Sequence, residues 1–480
     1  MWYHLNKHIS NRVTSLILLL VDVVLLAATH FFNIVPSEMR LVVVVLGICL
    51  FLEITVITQC RKLSPFAVFL GFFIIAQFGR VFLVAFVPSF VDVDLGEAEV
   101  LSQSIKMSLY SALALHMGSI LVNVFSATST TEQKYNNDQK DDTRNIKHFA
   151  YALLVISIGP LIYTTRERIT AAISGGYSEV LASRNIGLAS IPDRLSMWFV
   201  TAIFLFVASS RRPRVVLAIG CIYMIARMAF GGRGIETMTI ISLLLFYQTK
   251  IKPFSKKQIL FGVITSIPLI VVMAQIYTLR NQSLGQWDFL ATSDSPYARG
   301  TNPFYSLIWE YGAAIRPTAV SINLYTLNMM GPYFGLTYLC SIATMIPDPF
   351  KLWSSDFRDL AAIAQTIADR ANAGSIGGSL VEEAYINFGP LIVPFFIILG
   401  MLIQRLSNSL YRSTNMVYSA LLSVVFVYVY WSSRNSLGVI FQSTAYYVLV
   451  PYLIYIFLIR RHIPSQNNAL KSSEFEYLPQ

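Results

Sequence analysis

The sequence predicts an all-α, polytopic membrane protein with about twelve transmembrane helices and a large helical outer loop. Of its 480 residues, 55% are hydrophobic and only 13% are charged. A water-soluble domain of this size does not bury that much apolar sequence. Many apolar runs also reach about 18 residues, the length that a helix needs to cross the hydrocarbon core.

Twelve apolar runs are predicted to cross the membrane. They cover approximately residues 13–32, 41–58, 66–87, 104–126, 147–165, 194–209, 213–230, 233–250, 258–278, 391–408, 416–431 and 440–459. The first run is long enough to be an uncleaved span rather than a secretory signal. The run at 333–346 is too short to span comfortably, so it is predicted to be interfacial or re-entrant.

Basic residues predict that both termini are cytoplasmic. Every second connection between the predicted spans is rich in Lys and Arg, as cytoplasmic loops are. The link at 88–103, on the opposite side, has no Lys or Arg and four acidic residues. The net charge of +10 is explained by the cytoplasmic loops, so it does not indicate nucleic acid as a partner.

The predicted spans and loops divide the chain into four regions. These are a nine-helix membrane region at 1–278 with a modest outer loop at 166–193, a large outer loop at 279–390, three membrane helices at 391–460 and a cytoplasmic tail at 461–480. The large loop is far longer than a connector needs to be. Within it, residues 354–371 are predicted to form an amphipathic helix that Ser354 or Ser355 caps.

The segments predicted to lie outside keep many arginines but only one lysine, Lys351. A topology signal alone would remove both residue types from that side. Forked guanidinium groups suit phosphate and carboxylate, so these arginines are candidate substrate-binding residues. The candidates are Arg166, Arg168, Arg184, Arg280, Arg299, Arg316 and Arg370. The alternative for each is an ordinary surface role, just as the nearby Tyr and Trp suit either sugar stacking or an interfacial belt.

A glycine-rich turn, GGRGIE at 231–236, joins the seventh and eighth predicted spans. Glycines let the backbone approach a ligand closely, and Arg233 lies where a helix begins and free N–H groups favour an anion. Glu236 is a candidate acid or base in the same turn. The alternative is a tight helical hairpin whose arginine reaches the lipid headgroups.

A second motif, GSIGGSLVEEAYINFG at 374–389, precedes the tenth predicted span. It places two acids, Glu382 and Glu383, at the start of a helix near the membrane surface. Tyr385 and Asn387 follow them and are candidate substrate-binding residues. A partly desolvated carboxylate there can act as a general base. The alternative is a helix start at which the helix dipole favours acidic residues.

Several kinds of site are excluded by the sequence. It contains no phosphate-binding Walker loop, no metal-binding His/Cys cluster and no nucleophile elbow. None of the six histidines lies in the large outer loop, which excludes histidine-based catalysis there. No cofactor and no metal is therefore predicted.

Four charged residues fall within or beside predicted spans: Asp22, Glu53, Arg80 and Arg227. Such residues are unfavourable in lipid, and they usually pair with one another or line a cavity. Intramembrane ion pairs and a substrate or proton path are the two interpretations.

The two glycine-rich motifs resemble those of the Wzy-type oligosaccharide repeat-unit polymerases, which make O-antigen and capsule. The resemblance rests on GGRG at 231–234 and on the segment 377–389. It extends to the topology, with about a dozen spans, a modest outer loop near the middle and a large one before the last three spans. The paired Arg-x10-Gly pattern of some members is absent from both outer loops.

The resemblance implies a fold similar to the C-type membrane glycosyltransferases and a metal-independent reaction. Such enzymes join undecaprenyl-pyrophosphate-linked units on the outer face of the bacterial inner membrane, in lipopolysaccharide or capsule biosynthesis. They generally act with a chain-length regulator. On this hypothesis Arg233, Arg280, Arg166 and Arg184 hold pyrophosphate or glycan acid groups. Glu383 is the base, with Glu382 or Glu236 in reserve.

Two other functions are alternatives. An O-antigen ligase would use a histidine in the large outer loop, and this loop has none. A flippase or exporter of the lipid-linked unit would usually have internal repeats, a cationic central cavity and short loops. The long segment at 279–390 and the lack of a repeat disfavour that class.

Overall fold

The computed structural model describes residues 14, 17–28, 64–87, 98–125, 139–182, 191–228, 233–279, 303–345, 353–371 and 377–460. Regular structure within these residues is helical throughout, which confirms the predicted all-α class. The helices are α1 (Ile17–Ala28), α2 (Pro65–Phe86), α3 (Ala98–Phe125), α4 (Gln139–Ala182), α5 (Ile191–Ser196), α6 (Trp198–Ser209), α7 (Pro213–Met228), α8 (Arg233–Phe246), α9 (Lys256–Leu279), α10 (Pro303–Tyr311), α11 (Ile315–Thr326), α12 (Leu336–Ala343), α13 (Ser355–Ala361), α14 (Ile363–Arg370), α15 (Leu380–Phe388), α16 (Ile392–Arg412), α17 (Met416–Ser432), α18 (Leu437–Thr444) and α19 (Val450–Ile454).

Several helices are suited to a membrane by length and composition. In the described part of the chain, six stretches are long and apolar enough to cross: Pro65–Phe86, Glu99–Phe125, Arg144–Ala171, Ile191–Ser209, Leu380–Arg412 and Leu437–Phe457. Ile17–Ala28 and Met416–Ser432 are shorter apolar helices. Each of these stretches overlaps a predicted span, and the protein is a multi-pass membrane protein. The predicted span at 41–58 lies outside the described residues.

Helix α4 continues well beyond its predicted membrane span. It runs from Gln139 to Ala182 and includes Pro160 and the Ser174-Gly175-Gly176 sequence. The first part of the predicted outer loop at 166–193 is therefore an extension of this helix. Glycine in a helix interior is destabilising by only about 1 kcal/mol, so two glycines need not end a helix of this length.

The bundle core is built on close helix contacts. Helix α16 packs along α3, and the two glycines at their crossing, Gly118 and Gly400, each lie against the backbone of the other helix. A Cβ atom on Gly118 would collide with the carbonyl of Ile397, and one on Gly400 with that of Leu115. Small residues bring membrane helices together in this way. Helix α17 packs against α6 and α8.

The described part of the 279–390 segment packs onto the bundle. Helix α10 and the 3₁₀ turn Gly312–Ala314 cross α2, where Gly312 lies against the backbone of Gly79 and Arg80. Helix α11 then packs against α3 and α15, and α12 packs against α13 and α18. Helix α12 has eight residues and is about 12 Å long, too short to span.

Residues 354–371 form two short helices, so the prediction of one continuous helix is wrong. Ser354 is the cap, as predicted, because its Oγ accepts a hydrogen bond from the amide of Phe357 at 3.3 Å. The chain leaves the helical conformation at Ala362, with φ −104° and ψ 40°. The Thr366 hydroxyl donates to the carbonyl of Asp359 at 2.8 Å, which satisfies an acceptor near the break. The break lets α14 bury Ile363 and Ile367 while α13 has no buried residue.

Three of the four intramembrane charges have partners within the bundle. Asp22 lies 2.8 Å from His116 Nδ1, and both side chains are 2% exposed. Arg227 pairs with Glu236 at 3.1 Å. The Arg80 guanidinium lies 4.1 Å from the centroid of the Trp309 ring and donates to the carbonyl of Trp309. Glu53 lies outside the described residues.

The bundle has two chemically different ends. Arg214 donates to the hydroxyl of Tyr247, and Lys250 donates to the carbonyls of Tyr411 and Ser413 at 3.2 and 2.5 Å. These contacts define the basic end. Because α8 and α17 pack along each other, the start of α8 and the last turn of α17 lie at the opposite end. That end holds both glycine-rich motifs and is called the motif end below.

Candidate functional site at the motif end

Helix α15 begins with a capping box. The Ser379 hydroxyl accepts a hydrogen bond from the amide of Val381 at 3.1 Å, and the Glu382 carboxylate accepts one from the amide of Ser379 at 2.7 Å. Two amides that the helix itself leaves unpaired are satisfied in this way. One oxygen of Glu382 is thus engaged in starting its own helix, while the other has no hydrogen-bond partner among the described residues.

A buried polar cluster holds this helix start within the bundle. The Gln77 amide donates to Ser379 Oγ at 2.7 Å, and its oxygen accepts from Ser108 and Thr318 at 3.1 and 3.4 Å. Thr318 also lies 3.2 Å from Ser379 Oγ. The cluster joins α2, α3, α11 and α15, and its side chains are buried. Gln77 is nine residues from the end of α2, so the site is recessed by about 13 Å.

The Glu383 carboxylate is also buried, and it contacts a residue outside its own helix. Its Oε2 accepts a hydrogen bond from the amide of Leu437 at 2.5 Å, and Thr337 lies beside the carboxylate. Its Oε1 has no hydrogen-bond partner in the described part of the chain. A charged carboxylate is unfavourable when it is buried with one oxygen that accepts no hydrogen bond. Such a group can readily accept a proton.

Asn387 holds the residues around Glu383 in position, whereas Tyr385 contacts a different helix. The Asn387 amide group donates to Thr337 Oγ1 at 2.6 Å and to the carbonyl of Glu383 at 2.8 Å, and its oxygen accepts from the amide of Gly335 at 2.9 Å. Gln103 donates to the Tyr385 hydroxyl at 3.1 Å. Both side chains, predicted as substrate-binding residues, are buried and used in contacts within the protein.

The surroundings of Glu383 also change the pKa of Tyr338, on α12. Burial raises the pKa of the Tyr338 phenol well above its ordinary value. The charge of Glu383 raises this pKa further, and the nearby Asn387 side chain opposes the increase. Tyr338 is therefore a neutral neighbour of Glu383.

The turn at residues 431–437, called the connecting turn below, joins α17 to α18 and touches both motifs. Gly234 lies on the ring of Trp431, because a Cβ atom added there would overlap the ring. At the other side of the turn, the amide of Leu437 donates to Glu383. Gly378 lies beside the backbone of Asn435 and Ser436. The two motifs, which are well separated in sequence, thus meet at one structural element.

Helix α10 supports the middle of the connecting turn. The hydroxyls of Tyr311 and Ser433 are 3.2 Å apart, and the Arg434 guanidinium lies 5.6 Å from the centroid of the Tyr311 ring. Burial raises the pKa of Tyr311 to about 12, against the opposing effects of Ser433 and Arg434. Arg434 did not stand out in the sequence, although it lies in a short polar stretch, SSRNS, between two apolar runs.

Glu236, a reserve candidate for the base, is in a different environment. It forms an ion pair with Arg227 at 3.1 Å between the end of α7 and the start of α8, and the two side chains are 4% and 12% exposed. Arg168 on α4 also interacts electrostatically with Glu236. This carboxylate is held by cations.

A family model described as O-antigen polysaccharide polymerase Wzy matches residues 12–467. The chain belongs to the Wzy O-antigen polymerase family. The match covers nearly the whole chain and confirms the family resemblance seen in the two motifs. No curated protein and no solved structure matches the chain.

Within this Wzy fold, the predicted arginines lie in different surroundings. Arg166 is exposed on α4, and Arg168 lies 3.5 Å from Asp193. Arg316 is half-buried on α11, and Arg370 donates to the carbonyl of Met329 at 2.9 Å. The described arginines are therefore spread over three helices. Arg184, Arg280 and Arg299 lie outside the described residues, as does the side chain of Arg233, whose backbone begins α8.

The described residues contain no group of three or more His, Cys, Asp or Glu side chains that could hold a metal ion. The ionisable groups gathered at the motif end are carboxylates, arginines and tyrosines, and these suit proton transfer and anion binding.

Proposed function

We propose that this protein is a glycosyltransferase that joins undecaprenyl-pyrophosphate-linked oligosaccharide units into O-antigen or capsular polysaccharide. Membership of the Wzy family supports repeat-unit polymerisation. The observation that carries the proposed active site is the buried Glu383 carboxylate, which keeps one oxygen uncommitted at the junction of both motifs.

In the proposed reaction, a hydroxyl oxygen of the incoming lipid-linked unit attacks the anomeric carbon of the growing glycan. The new glycosidic bond forms as the bond between that carbon and the diphosphate oxygen breaks. Glu383 accepts the hydroxyl proton, and the electron pair leaves with undecaprenyl diphosphate. Guanidinium groups stabilise the negative charge that grows on the diphosphate, without a metal ion. We assign this stabilisation of the leaving diphosphate to Arg233, with Arg166, Arg184 and Arg280 as further candidates.

The surroundings of the three candidate carboxylates favour Glu383 as the base. Glu236 is paired with Arg227, which stabilises its charged form and occupies it. Glu382 is engaged in the capping box of its own helix. Glu383 instead reaches across to the connecting turn, which also supports Gly234.

We further propose that the motif end faces the exterior of the bacterial plasma membrane. Arg214 and Lys250 lie at the opposite end, and the positive-inside rule places such residues in the cytoplasm. A site recessed from the outer ends of the membrane helices suits substrates that remain anchored in the bilayer. A chain-length regulator is the protein partner that the family resemblance implies.

The test uses a deletion strain that is complemented with wild-type protein, Glu383→Gln or Glu382→Gln, with membrane levels measured by immunoblot. We expect the deletion to leave single repeat units on lipid A core, and the wild type to restore a ladder. Glu383→Gln should reach the membrane without restoring it, whereas Glu382→Gln should restore it. A deletion strain without any surface glycan would instead indicate a ligase or flippase, and a normal ladder from Glu383→Gln would remove Glu383 as the base.

A further inference from the structure

The connecting turn carries a cation that the two sequence motifs do not include. Arg434 is half-buried at the motif end and forms no ion pair with an acid in the described parts of the chain. Its guanidinium lies over the face of the Tyr311 ring, 5.6 Å from the ring centroid. Stacking on an aromatic ring leaves the edge of a guanidinium, with its N–H donors, available for another group.

The position of Arg434 is fixed by its neighbours. Ser433 contacts the hydroxyl of Tyr311 at 3.2 Å, and the packing of Trp431 on Gly234 holds the start of the turn. Three residues after Arg434, the amide of Leu437 binds Glu383. Ser436, the residue before Leu437, precedes α18 without using its hydroxyl as a cap. A fixed cation and a free hydroxyl therefore lie on the same element that holds the proposed base.

From this arrangement we propose that Arg434, assisted by Ser436, binds the diphosphate of the lipid-linked glycan donor. The inference rests on the proposed function and adds a residue to its leaving-group site. Fork-shaped guanidinium recognition suits a diphosphate, because two oxygens can be bound at once. The connecting turn then relates the two reacting groups: Arg434 holds the departing diphosphate while Leu437 orients the carboxylate that takes the acceptor proton.

Binding of farnesyl diphosphate to the detergent-purified protein tests this site without requiring turnover. Calorimetric titration is compared for wild type, Arg434→Gln and Arg434→Lys, with Arg211→Gln as the matched control. Arg211 is an exposed arginine in the turn before α7. Farnesyl monophosphate and inorganic pyrophosphate are titrated in parallel, to separate recognition of a prenyl diphosphate from that of any phosphate.

We expect Arg434→Gln to weaken farnesyl diphosphate binding about 10- to 100-fold, since a charge-assisted hydrogen bond is lost. Arg434→Lys should be intermediate, because an ammonium keeps the charge and loses the fork. Arg211→Gln should bind as wild type. Thermal unfolding checks that each variant is folded.

Equal affinities for wild type and Arg434→Gln, or no binding by the wild type, would overturn the proposal. Stronger or equal binding of the monophosphate would overturn the diphosphate assignment. The glycan ladder separates this result from the proposed function. If the wild type binds the probe through Arg434 but restores no ladder, the polymerase function is refuted and the anion site stands. If the wild type restores a normal ladder and Arg434→Gln binds the probe as well as wild type does, the anion site is refuted and the polymerase function stands.

Discussion

Glu236 and Glu383 are both buried at the motif end, yet their partners differ in kind. Glu236 lies 3.1 Å from the guanidinium of Arg227, and a second arginine interacts with it. Glu383 has neutral neighbours instead: the backbone amide of Leu437 binds one oxygen, and the Thr337 hydroxyl lies beside the carboxylate. Both acids occur in glycine-rich motifs, and the sequence makes both of them candidates for the base, with Glu236 in reserve. The residue that faces each acid across the helix interface, and not the motif in which the acid occurs, therefore distinguishes a structural acid from a candidate base.

The largest effect is expected at Glu383. Replacing it with Gln keeps an oxygen that can accept the hydrogen bond from Leu437, but removes the proton acceptor. We expect the initial rate of glycan extension in proteoliposomes to fall about 10²- to 10⁴-fold, the usual contribution of a general base. Protein yield and thermal unfolding should stay close to wild type. A rate within a few-fold of wild type would place the base elsewhere.

The opposite pattern is expected at Glu236. Glu236→Gln leaves the Arg227 charge buried without its partner, and breaking a buried ion pair in this way is destabilising by about 3–5 kcal/mol. We expect a large loss of thermal stability in detergent, with the activity of the remaining folded protein nearly unchanged. The double variant Arg227→Met/Glu236→Leu should regain much of the stability, because it removes both charges. Normal stability with lost turnover would reverse the roles assigned to the two acids.

A smaller effect tests the contact between the motifs. Gly234→Ala places a methyl group within the ring of Trp431, so the start of α8 and the connecting turn must move apart. Overpacking of this kind is destabilising by about 1–3 kcal/mol. Trp431→Phe removes the ring atoms nearest to Gly234, and we expect it to restore part of the stability and activity of Gly234→Ala. Additive losses in thermal unfolding, with no rescue, would show that the two elements are not coupled.

The sequence predicted much of the fold and only part of the site. Apolar length located eight of the twelve predicted spans among the apolar helices of the described residues, and Ser354 was correctly expected to cap a helix. The contact between Gln77 and Ser379 joins residues 302 positions apart, and helices that are apolar on all sides carry no pattern that indicates which faces meet. For the same reason the pairing of Arg227 with Glu236 and the role of the connecting turn became apparent only from the structure.

The smallest effect is expected at Glu382, the immediate neighbour of the proposed base. Its carboxylate accepts a hydrogen bond from the amide of Ser379, so Glu382→Ala removes one half of the capping box. Loss of a cap is destabilising by about 0.5–2 kcal/mol. Glu382→Gln should be nearly neutral, because its amide oxygen can accept the same bond. The matched variants Glu383→Ala and Glu383→Gln should both be inactive. Glycan extension and thermal unfolding of all four variants decide the assignment, since equal activity losses in Glu382→Gln and Glu383→Gln would mean that the two acids act as one pair.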